Sequence, residues 1–277
     1  MKFVSQTSRR AFKIEARQFP SRRRAMLAST ALGAALILWQ SPVHAGPDGE
    51  RIVAGQANVT RPTSTTTLVT QSSQSVLIDW QNFNIAANET VRFQQPNQNA
   101  LAINRVTGNQ ITNVFGSLLA NGNIALINPA GIIIHNGAVI DVGGLVVSAH
   151  RLSDDDARAA LASGRIALGQ PQSGAGDISN SGSITVREGG LAALTGGRVA
   201  NKGTITANLG KVSLAAGEVV TVDLAGDGLV TFAATQPQGK AEGAKVENSG
   251  TITAARVELS VAQAMPAGSL CQCNEPA

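Results

Sequence analysis

The sequence predicts an all-β protein built as a parallel β-solenoid, in which short strands stack in successive coils. Beyond residue 50, no long helical periodicity is present, and short runs rich in Val, Ile, Leu and Thr alternate with Asn, Gly and Ser turns. A pattern with the core Ile/Val-x-Asn-x-Gly-Ser/Thr-Ile-Thr also recurs in a fixed register. Repeats of about 20 residues with strand and turn content are typical of parallel β-solenoids. The alternative is an antiparallel sandwich with accidental Asn-Gly turns, and sandwiches rarely keep a fixed repeat register.

Three copies of the repeat set the expected coil length. They occupy residues 177–186, 198–207 and 245–254. The first two copies begin 21 residues apart, whereas the second and third begin 47 apart, which predicts two longer coils between them. At about 20 to 24 residues per coil, the mature chain would form roughly nine or ten coils. The Ile and Val positions should stack inside, and Asn and Gly should take the corners because both tolerate a left-handed backbone.

Residues 1–45 have the pattern of a long secretory signal peptide. A basic stretch ends at 21–24, an apolar run of about 15 residues follows, and a Val-x-Ala sequence allows cleavage between Ala45 and Gly46. The apolar run is shorter than the roughly 20 residues that span a bilayer. An uncleaved signal anchor is the alternative. The Arg-Arg pairs also suggest a twin-arginine route, but the strongly apolar run favours the general secretory route.

The basic charge of the chain belongs to this signal region. Residues 1–45 hold eight of the 22 Lys and Arg residues and one of the 18 acids, so the formal charge of +4 becomes −3 for the rest of the chain. Only five aromatic residues follow position 45. Nucleic-acid-binding proteins usually present a basic surface and aromatic stacking platforms. No nucleic-acid partner is therefore expected.

No catalytic, cofactor-binding or metal-binding residue is expected either. The mature part has two histidines, His135 and His150, which lack clustered carboxylate partners and are predicted to lie on the surface at strand ends. A β-helix enzyme that acts on acidic polysaccharide is a weaker alternative, because such enzymes need clustered carboxylates with Arg or Lys. The available carboxylates are scattered, at Asp141, Asp177, Asp223 and Asp227.

One segment interrupts the strand pattern. Residues 152–163 contain helix-forming residues, with Ser153 as an N-cap and Asp156 three residues later. Three consecutive acids also suggest Ca²⁺, but calcium loops space their acids at alternate positions and need a distal Glu. The sequence therefore predicts a short helical or looped excursion from the solenoid.

Residues 78–150 carry a series of short motifs in a fixed order. The motifs are Trp80-x-x-Phe83-Asn84, Phe93-x-Gln95-Pro96, Asn104-Arg105-Val106-Thr107, Asn121-Gly122 and Asn128-Pro129-Ala130-Gly131-Ile132. This order resembles the N-terminal secretion domain of the filamentous haemagglutinin family, the exoproteins of two-partner secretion. It is most similar to the branch of high-molecular-weight adhesins, and the resemblance covers about residues 50–262.

The resemblance implies a right-handed parallel β-helix and export through an Omp85-type outer-membrane transporter with POTRA domains. It also implies an adhesin role, outside the cell or at its surface, with a host-cell or surface glycan receptor as a further expected partner. The expected layout is a signal peptide over 1–45, a secretion-domain β-helix over 46–264 and an unstructured tail over 265–277. Cys271 and Cys273 in this tail are too close for an easy disulfide with each other and could pair between chains.

Family members usually continue far beyond the secretion domain, whereas this sequence stops soon after its third repeat. A truncated, non-functional remnant of a longer adhesin is therefore an alternative to a working export module.

The resemblance makes six residues candidates for a secretion motif: Asn104, Arg105, Asn128, Pro129, Gly131 and Ile132. The family often has Asn where this chain has Ala130, and a second family element, Asn-Pro-Asn-Leu, is absent. Residues 128–131 fit a type I turn, with Asn first, Pro second and Gly fourth. Two compatible roles are open for this corner, a rigid turn in an early coil and recognition by the transporter. The side chain of Arg105 either faces solvent or binds a carbonyl or carboxylate through its fork of donors.

Overall fold

The structure, a computed structural model, describes residues 46–169, 176–217, 220–223, 230–232 and 244–261. The predicted signal peptide, with its cleavage residue Ala45, lies outside the described residues, and so does the predicted tail with its two cysteines.

The first half of the described chain consists of twelve strands. They are β1 (Arg51–Ala54), β2 (Ala57–Thr63), β3 (Thr66–Gln71), β4 (Ser75–Trp80), β5 (Thr90–Gln94), β6 (Leu101–Val106), β7 (Thr112–Val114), β8 (Ser117–Ala120), β9 (Asn123–Ile127), β10 (Ile132–Ile134), β11 (Val139–Val142) and β12 (Gly144–Ser148).

The second half contains one helix and ten further strands within the described residues. They are α1 (Asp154–Ser163), β13 (Arg165–Leu168), β14 (Asp177–Asn180), β15 (Ser183–Val186), β16 (Leu191–Gly196), β17 (Arg198–Asn201), β18 (Thr204–Ala216), β19 (Val220–Asp223), β20 (Val230–Phe232), β21 (Lys245–Asn248) and β22 (Thr251–Val261).

Most strands belong to stacked coils with three faces. Two faces join in one long sheet of order β1-β4-β6-β9-β12-β16-β18-β15-β11-β8-β5-β3-β2, and β22 pairs with β18 around the same corner. The third face has the order β21-β17-β14-β10-β7 and is parallel throughout. In the long sheet only β1 with β4 and β2 with β3 are antiparallel, at the N-terminal end. The predicted fold class, an all-β parallel β-helix, is confirmed.

The number of coils is smaller than the repeat spacing predicted. Within the described residues, the path from β4 through β6, β9, β12, β16 and β18 to β22 has seven levels, not nine or ten. The third copy of the repeat stacks directly on the second, because Arg198 lies opposite Lys245 and Thr204 opposite Thr251. The prediction of two longer coils between these copies was therefore wrong.

The residues between the two copies instead include an excursion from the solenoid. Strands β19 and β20 lie in this interval, and they form an antiparallel sheet with β13. Val220–Asp223 alternates apolar and polar residues as a half-buried strand does, but a strand that covers a solenoid has the same alternation as one inside it. Periodicity alone could not separate the two.

The repeat supplies a ladder of asparagine side chains, of which Asn180 and Asn201 are buried and Asn248 is exposed. Asn180 donates from Nδ2 to Oδ1 of Asn201 over 2.8 Å, and Asn201 donates to Asn248 over 2.7 Å. None of the three has a positive φ, so the expected reason for Asn at this position, a left-handed corner, was wrong. The glycine of the repeat serves close stacking, because a Cβ on Gly203 would lie 2.1 Å from the carbonyl oxygen of Gly182.

The solenoid interior is filled by stacked aliphatic side chains. Ile184, Ile205 and Ile252 occupy equivalent positions on three successive coils of one face, and the first two are fully buried. Trp80 and Phe83 pack edge to face near the N-terminal end, with ring centroids 5.4 Å apart. The ladder of Ile and Val positions is the arrangement that the repeat predicts.

A second core covers the outer face of the sheet formed by β4, β6, β9, β12 and β16. Ile103, Ile127 and Val146 point out of the solenoid and pack in a cluster with Ala157 and Ala160 of α1. Side chains of β13 and β19 complete this cluster. These coil strands are therefore buried on both faces, which explains their nearly continuous apolar runs.

The predicted excursion near residues 152–163 is confirmed as α1. The Ser153 side chain caps the helix by accepting a hydrogen bond from the Asp156 backbone N–H over 3.1 Å. The helix ends at Gly164, which has a φ of 70°. Within the described residues, no helix is both long enough and apolar enough to cross a membrane.

Candidate functional site

A groove lies where β1, β4 and β6 meet the corner after β9 and the start of α1. It has a volume of about 690 Å³, and the residues that define it are Arg51, Asp79, Arg105, Pro129, Arg151 and Asp154. Parallel pairing of β4, β6 and β9 brings Asp79, Arg105 and the corner at Pro129 to one edge of the sheet, and antiparallel pairing of β1 with β4 adds Arg51. The groove therefore joins two motifs on neighbouring coils, one with Arg105 and one with Pro129.

The floor of the groove is a buried carboxylate between two arginines. Asp79 is 3% exposed and lies opposite Arg51 on β1 and opposite Arg105 on β6. Its Oδ1 accepts from Nε of Arg105 at 2.8 Å, and its Oδ2 accepts from Nη2 of Arg105 at 3.1 Å and from Nη2 of Arg51 at 2.7 Å. The carboxylate is therefore paired with two guanidinium groups and accepts three hydrogen bonds, which gives a buried charge the partners that it requires.

Arg105 also connects the solenoid to α1. Its Nη1 donates to the Leu152 carbonyl oxygen at 3.2 Å and to Oδ1 of Asp154 at 2.7 Å. The hydrogen bonds to Asp79 raise the pKa of Arg105 above its usual value, against the opposing effect of burial. Donation from Arg105 in turn lowers the pKa of Asp154. Of the two predicted arrangements for Arg105, binding to carbonyl and carboxylate oxygens is the one that the structure contains.

Asn104 points into the solenoid, on the opposite side of β6 from Arg105. It is fully buried, and its Oδ1 accepts a hydrogen bond from Nε1 of Trp80 at 3.0 Å. Its Nδ2 donates to the carbonyl oxygens of Ala102 and Ala125 at 3.3 and 3.4 Å. The side chain therefore satisfies the indole N–H of a buried tryptophan and ties β6 to β9.

The predicted turn at residues 128–131 is present. The Asn128 carbonyl oxygen accepts from the Gly131 N–H at 2.9 Å, and the Asn128 Oδ1 accepts from the Ala130 N–H at 3.0 Å. Asn128 is fully buried, and its Nδ2 reaches the preceding coil, where it donates to the Gln110 carbonyl oxygen and to Oγ1 of Thr112, both at 2.9 Å. The Asn128 side chain thus builds the turn and connects two coils.

The other residues of this corner divide into buried and accessible ones. Gly131 has a φ of +113°, which L side chains rarely adopt, and a Cβ there would lie 2.9 Å from the Asp177 carbonyl oxygen. Ile132 is fully buried in the solenoid core. Pro129 and Ala130 are half-buried and line the groove. Of the six predicted motif residues, only Arg105 and Pro129 reach the groove surface.

The prediction that His150 lies on the surface was wrong. It is fully buried, its Nε2 lies 2.7 Å from the Gly217 carbonyl oxygen, and its Nδ1 lies 3.2 Å from Oγ of Ser148 and 3.3 Å from Oγ1 of Thr195. A carbonyl oxygen only accepts, so Nε2 carries the proton and Nδ1 accepts. Burial lowers the pKa of His150. The coil that contains Thr195 and the residue Gly217 enclose the ring, and sequence spacing gave no sign of either contact.

His135 is half-buried, and its ring stacks on Phe115 with 3.7 Å between centroids. Its Nε2 also lies 3.0 Å from Oδ1 of Asn113. The described part of the chain contains no group of three or more His, Cys, Asp and Glu side chains that could hold a metal ion.

Four groove residues, Arg51, Asp79, Arg151 and Asp154, were not predicted from the sequence. A signal for Asp79 was present, because it is the one charged residue in the apolar run of β4. A carboxylate in such a strand needs a buried partner. Nothing in the local sequence around Arg51 or Arg151 indicated that they would lie at the same groove.

A stack of parallel coils with antiparallel strands at its N-terminal end and a covering helix defines a β-helical domain. The family model of the TPS secretion domain matches residues 44–271, which is most of the chain. The chain therefore belongs to the family of TPS secretion domains.

The solved structures that are similar to this chain include two secretion domains. The crystal structure of the HMW1 secretion domain from Haemophilus influenzae has a TM-score of 0.65 and 32% sequence identity, and the match covers 77% of this chain and 57% of that one. The filamentous hemagglutinin secretion domain has a TM-score of 0.51 and 15% identity, with 78% of this chain and 97% of that chain covered. The second likeness shows the fold alone.

Curated relatives match a shorter segment. The heme/hemopexin-binding protein of Haemophilus influenzae strain Rd is 43% identical over 99 residues. A second heme/hemopexin-binding protein of Haemophilus influenzae is 38% identical over 102 residues. These matches cover 36% and 37% of this chain but 11% of the relatives. The chain thus matches only about a tenth of the length of these relatives.

These findings identify the chain as the secretion domain of a two-partner secretion exoprotein. Domains of this family are exported through cognate outer-membrane transporters, and the relatives above are secretion domains and heme/hemopexin-binding proteins rather than enzymes.

Proposed function

We propose that the groove around Arg105 and Pro129 is the surface through which this secretion domain engages the POTRA domains of an Omp85-type transporter. The observation that supports this proposal is that two motifs on neighbouring coils meet at one groove of about 690 Å³, which is lined by charged and polar side chains.

The buried and accessible motif residues have different tasks in this proposal. Asn104, Asn128, Gly131 and Ile132 are buried and shape the corner, so they act on a partner only through the structure that they hold. Arg105 fixes the start of α1 against the end of β6. Accessible residues of the groove, such as Asn109 and Arg151, make the contacts with the transporter.

We further propose how the chain is processed and where it ends. Residues 1–45 are removed between Ala45 and Gly46 on export to the periplasm, residues 46–264 form the secretion domain, and the exoprotein ends outside the cell or at its surface. N-terminal sequencing of the exported protein should begin at or near Gly46. An exported, folded chain that retains Met1 would contradict this part of the proposal.

We also propose an adhesin role with a host-cell or surface glycan as the receptor, which the resemblance of the motifs to the high-molecular-weight adhesin branch supports. The identity to the heme/hemopexin-binding protein extends over 99 residues of the export module, which is 11% of that protein. It therefore supports a shared export route rather than a shared ligand. We propose no catalytic activity, because the groove pairs its carboxylates with arginines instead of presenting a free acid and base.

An export assay with a groove-filling variant tests the proposal. Asn109 is exposed and lines the groove, so Asn109→Trp would fill it with little effect on the fold. Asn136→Trp is the matched control, because Asn136 is also exposed but lies in a turn outside the groove. Both variants are co-expressed with the cognate transporter, and the mature protein is measured in the periplasm and in the medium.

We expect Asn109→Trp to accumulate in the periplasm while Asn136→Trp is exported like the unmodified protein. Melting curves of the purified domains should coincide, which separates loss of recognition from loss of folding. Export of Asn109→Trp at the unmodified level would remove the groove as the transporter-binding surface and would favour the truncated remnant.

A further inference from the structure

We propose that the groove binds an acidic segment of the transporter, rich in Asp and Glu, through the guanidinium groups of Arg51 and Arg151. This inference rests on the proposed function and specifies the chemistry of the partner.

Some of the charged groups in the groove are already paired within the chain. Asp79 accepts three hydrogen bonds from Arg51 and Arg105 and is 3% exposed, so its carboxylate is closed to a partner. Arg105 uses Nε and Nη2 on Asp79 and Nη1 on Leu152 and Asp154, and its side chain is 13% exposed. These groups form the floor of the groove rather than its binding surface.

The guanidinium groups of Arg51 and Arg151 retain N–H donors without a partner among the described residues. The Arg51 side chain is 71% exposed, and within the described chain only its Nη2 has a partner, which leaves Nη1 open to the groove. Arg151 is exposed and makes no side-chain hydrogen bond or ion pair with any described residue. A guanidinium offers five N–H donors in a planar fork that matches a carboxylate. Two arginines with unused donors therefore face one groove.

The carboxylates that line the groove would repel an acidic ligand. Asp154 also lines the groove and its side chain is 64% exposed, but it already accepts a hydrogen bond from Arg105. The groove then contains three arginines and two aspartates, an excess of one positive charge. Thr107, Asn109 and Ser153 add neutral polar groups.

This local excess differs from the charge of the domain as a whole. The chain after residue 45 has a formal charge of −3, so a general attraction to anions is not expected. A positive groove on a negative domain selects a partner by where its acids lie. Such complementarity mainly sets the association rate and the register of docking, and it weakens with salt.

Calorimetry at low and at high salt measures the binding of the mature chain to the purified POTRA domains of its cognate transporter. The variants are Arg151→Glu, Arg51→Glu, their combination, and the groove-filling Asn109→Trp. Arg92→Glu is the matched control, because Arg92 is an exposed strand arginine outside the groove. A Glu-rich peptide and a Lys-rich peptide of equal length serve as competitors.

We expect the double variant to lower the affinity at least about tenfold and to weaken its salt dependence, because a single exposed charge contact is lost or reversed at each site. Arg92→Glu should bind within about twofold of the unmodified chain, and only the Glu-rich peptide should compete. Arg51→Glu places a negative charge beside Asp79, so Arg151→Glu alone decides the result if the first variant melts early.

The outcomes separate this inference from the proposal on which it rests. If the arginine variants bind normally while Asn109→Trp abolishes binding, the groove is the docking site but its partner is not acidic. If the arginine variants and Asn109→Trp all bind normally, both proposals fail. Equal competition by the two peptides would also overturn the acidic segment.

Discussion

Asp79 and Arg105 lie opposite each other on the neighbouring strands β4 and β6, and the nearly buried carboxylate accepts hydrogen bonds from both Nε and Nη2 of the guanidinium. The same guanidinium donates to the Leu152 carbonyl oxygen at the start of α1. One ion pair thus connects the solenoid to the helix that covers its outer face. Loss of one member of a buried pair is costly chiefly because the other charge stays buried.

The first prediction follows from this pair. Arg105→Met should lower the free energy of unfolding by about 2–3 kcal/mol, somewhat less than for a wholly buried pair because Arg51 still binds Asp79. Arg51→Met is the control and should cost less than about 1 kcal/mol, since the Arg51 side chain is 71% exposed. Urea unfolding of both variants measures the difference, and equal costs would contradict the assigned role of Arg105.

The second prediction concerns Asn128. A single local hydrogen bond contributes about 1 kcal/mol, but this side chain makes three, and Thr112, which accepts one of them, is 1% exposed. We expect Asn128→Ala to lower the free energy of unfolding by about 2–4 kcal/mol. Asn113→Ala, which removes a half-buried side chain from the preceding coil, should cost about 1 kcal/mol or less.

The export of Asn128→Ala then separates the two roles of the corner. Stability and export that fall together would indicate that the residue acts by building the turn. An export defect in a variant with an unchanged melting curve would show recognition of the corner itself and would contradict the buried geometry as the cause.

The third prediction uses three glycines to separate backbone strain from crowding. Gly131 has a positive φ and a close neighbour, Gly137 has a φ of +87° with nothing within 4 Å of an added Cβ, and Gly169 has neither constraint. Substitution by Ala should therefore cost most at Gly131, about 2–4 kcal/mol, and about 1–2 kcal/mol at Gly137. Gly169→Ala should be nearly neutral. Chemical unfolding of the three variants gives the order, and equal costs at Gly131 and Gly137 would exclude crowding against Asp177.

Local patterns in the sequence were sufficient for much of the fold. The repeat register predicted parallel coils, Ser153 predicted the start of α1, and the residues 128–131 predicted their turn. Each of these depends on neighbours a few residues apart or on a regular repeat, so the signal lies in the sequence itself.

The remaining features depend on contacts between distant segments. The strand around Val220–Asp223 has the alternation of a coil strand, although it pairs antiparallel with β13 outside the solenoid. The burial of His150 depends on Gly217, and the pairing of Asp79 depends on Arg51 and Arg105. Spacing along the chain does not encode which of these segments meet, so the groove could not be predicted beyond its motif residues.

The fourth prediction concerns Leu209, which is 73% exposed and has a φ of 53°. It stands one coil beyond Gly189, which has a φ of +72°. A left-handed conformation costs a residue with a side chain about 1–2 kcal/mol, so Leu209→Gly should raise the free energy of unfolding by about 1 kcal/mol. Leu209→Ala keeps the strained φ and should leave stability unchanged. A thermal melt compares the variants, and a less stable Leu209→Gly would show that the leucine makes a stabilising contact.

The fifth prediction concerns the pH dependence of stability and depends on His150. Burial lowers the pKa of His150 below its usual value of 6.5, so the ring stays neutral in the folded protein at a pH where an unfolded histidine binds a proton. Above pH 6.5 neither state is protonated, and the contribution of His150 to stability is fully present. As the pH falls below 6.5 toward the folded pKa, the unfolded state binds more protons and stability is lost.

Protonation would also place a proton on Nδ1, where Ser148 and Thr195 now provide the hydroxyl groups around an accepting nitrogen. The melting temperature should therefore decline between about pH 6.5 and about pH 5, before most carboxylates titrate. His150→Gln keeps a polar side chain of similar reach without a titrating ring, and its melting temperature should stay flat over this interval even if it is lower throughout. Melting curves at closely spaced pH values compare the two proteins, and an equal decline in both would assign the pH dependence to other groups.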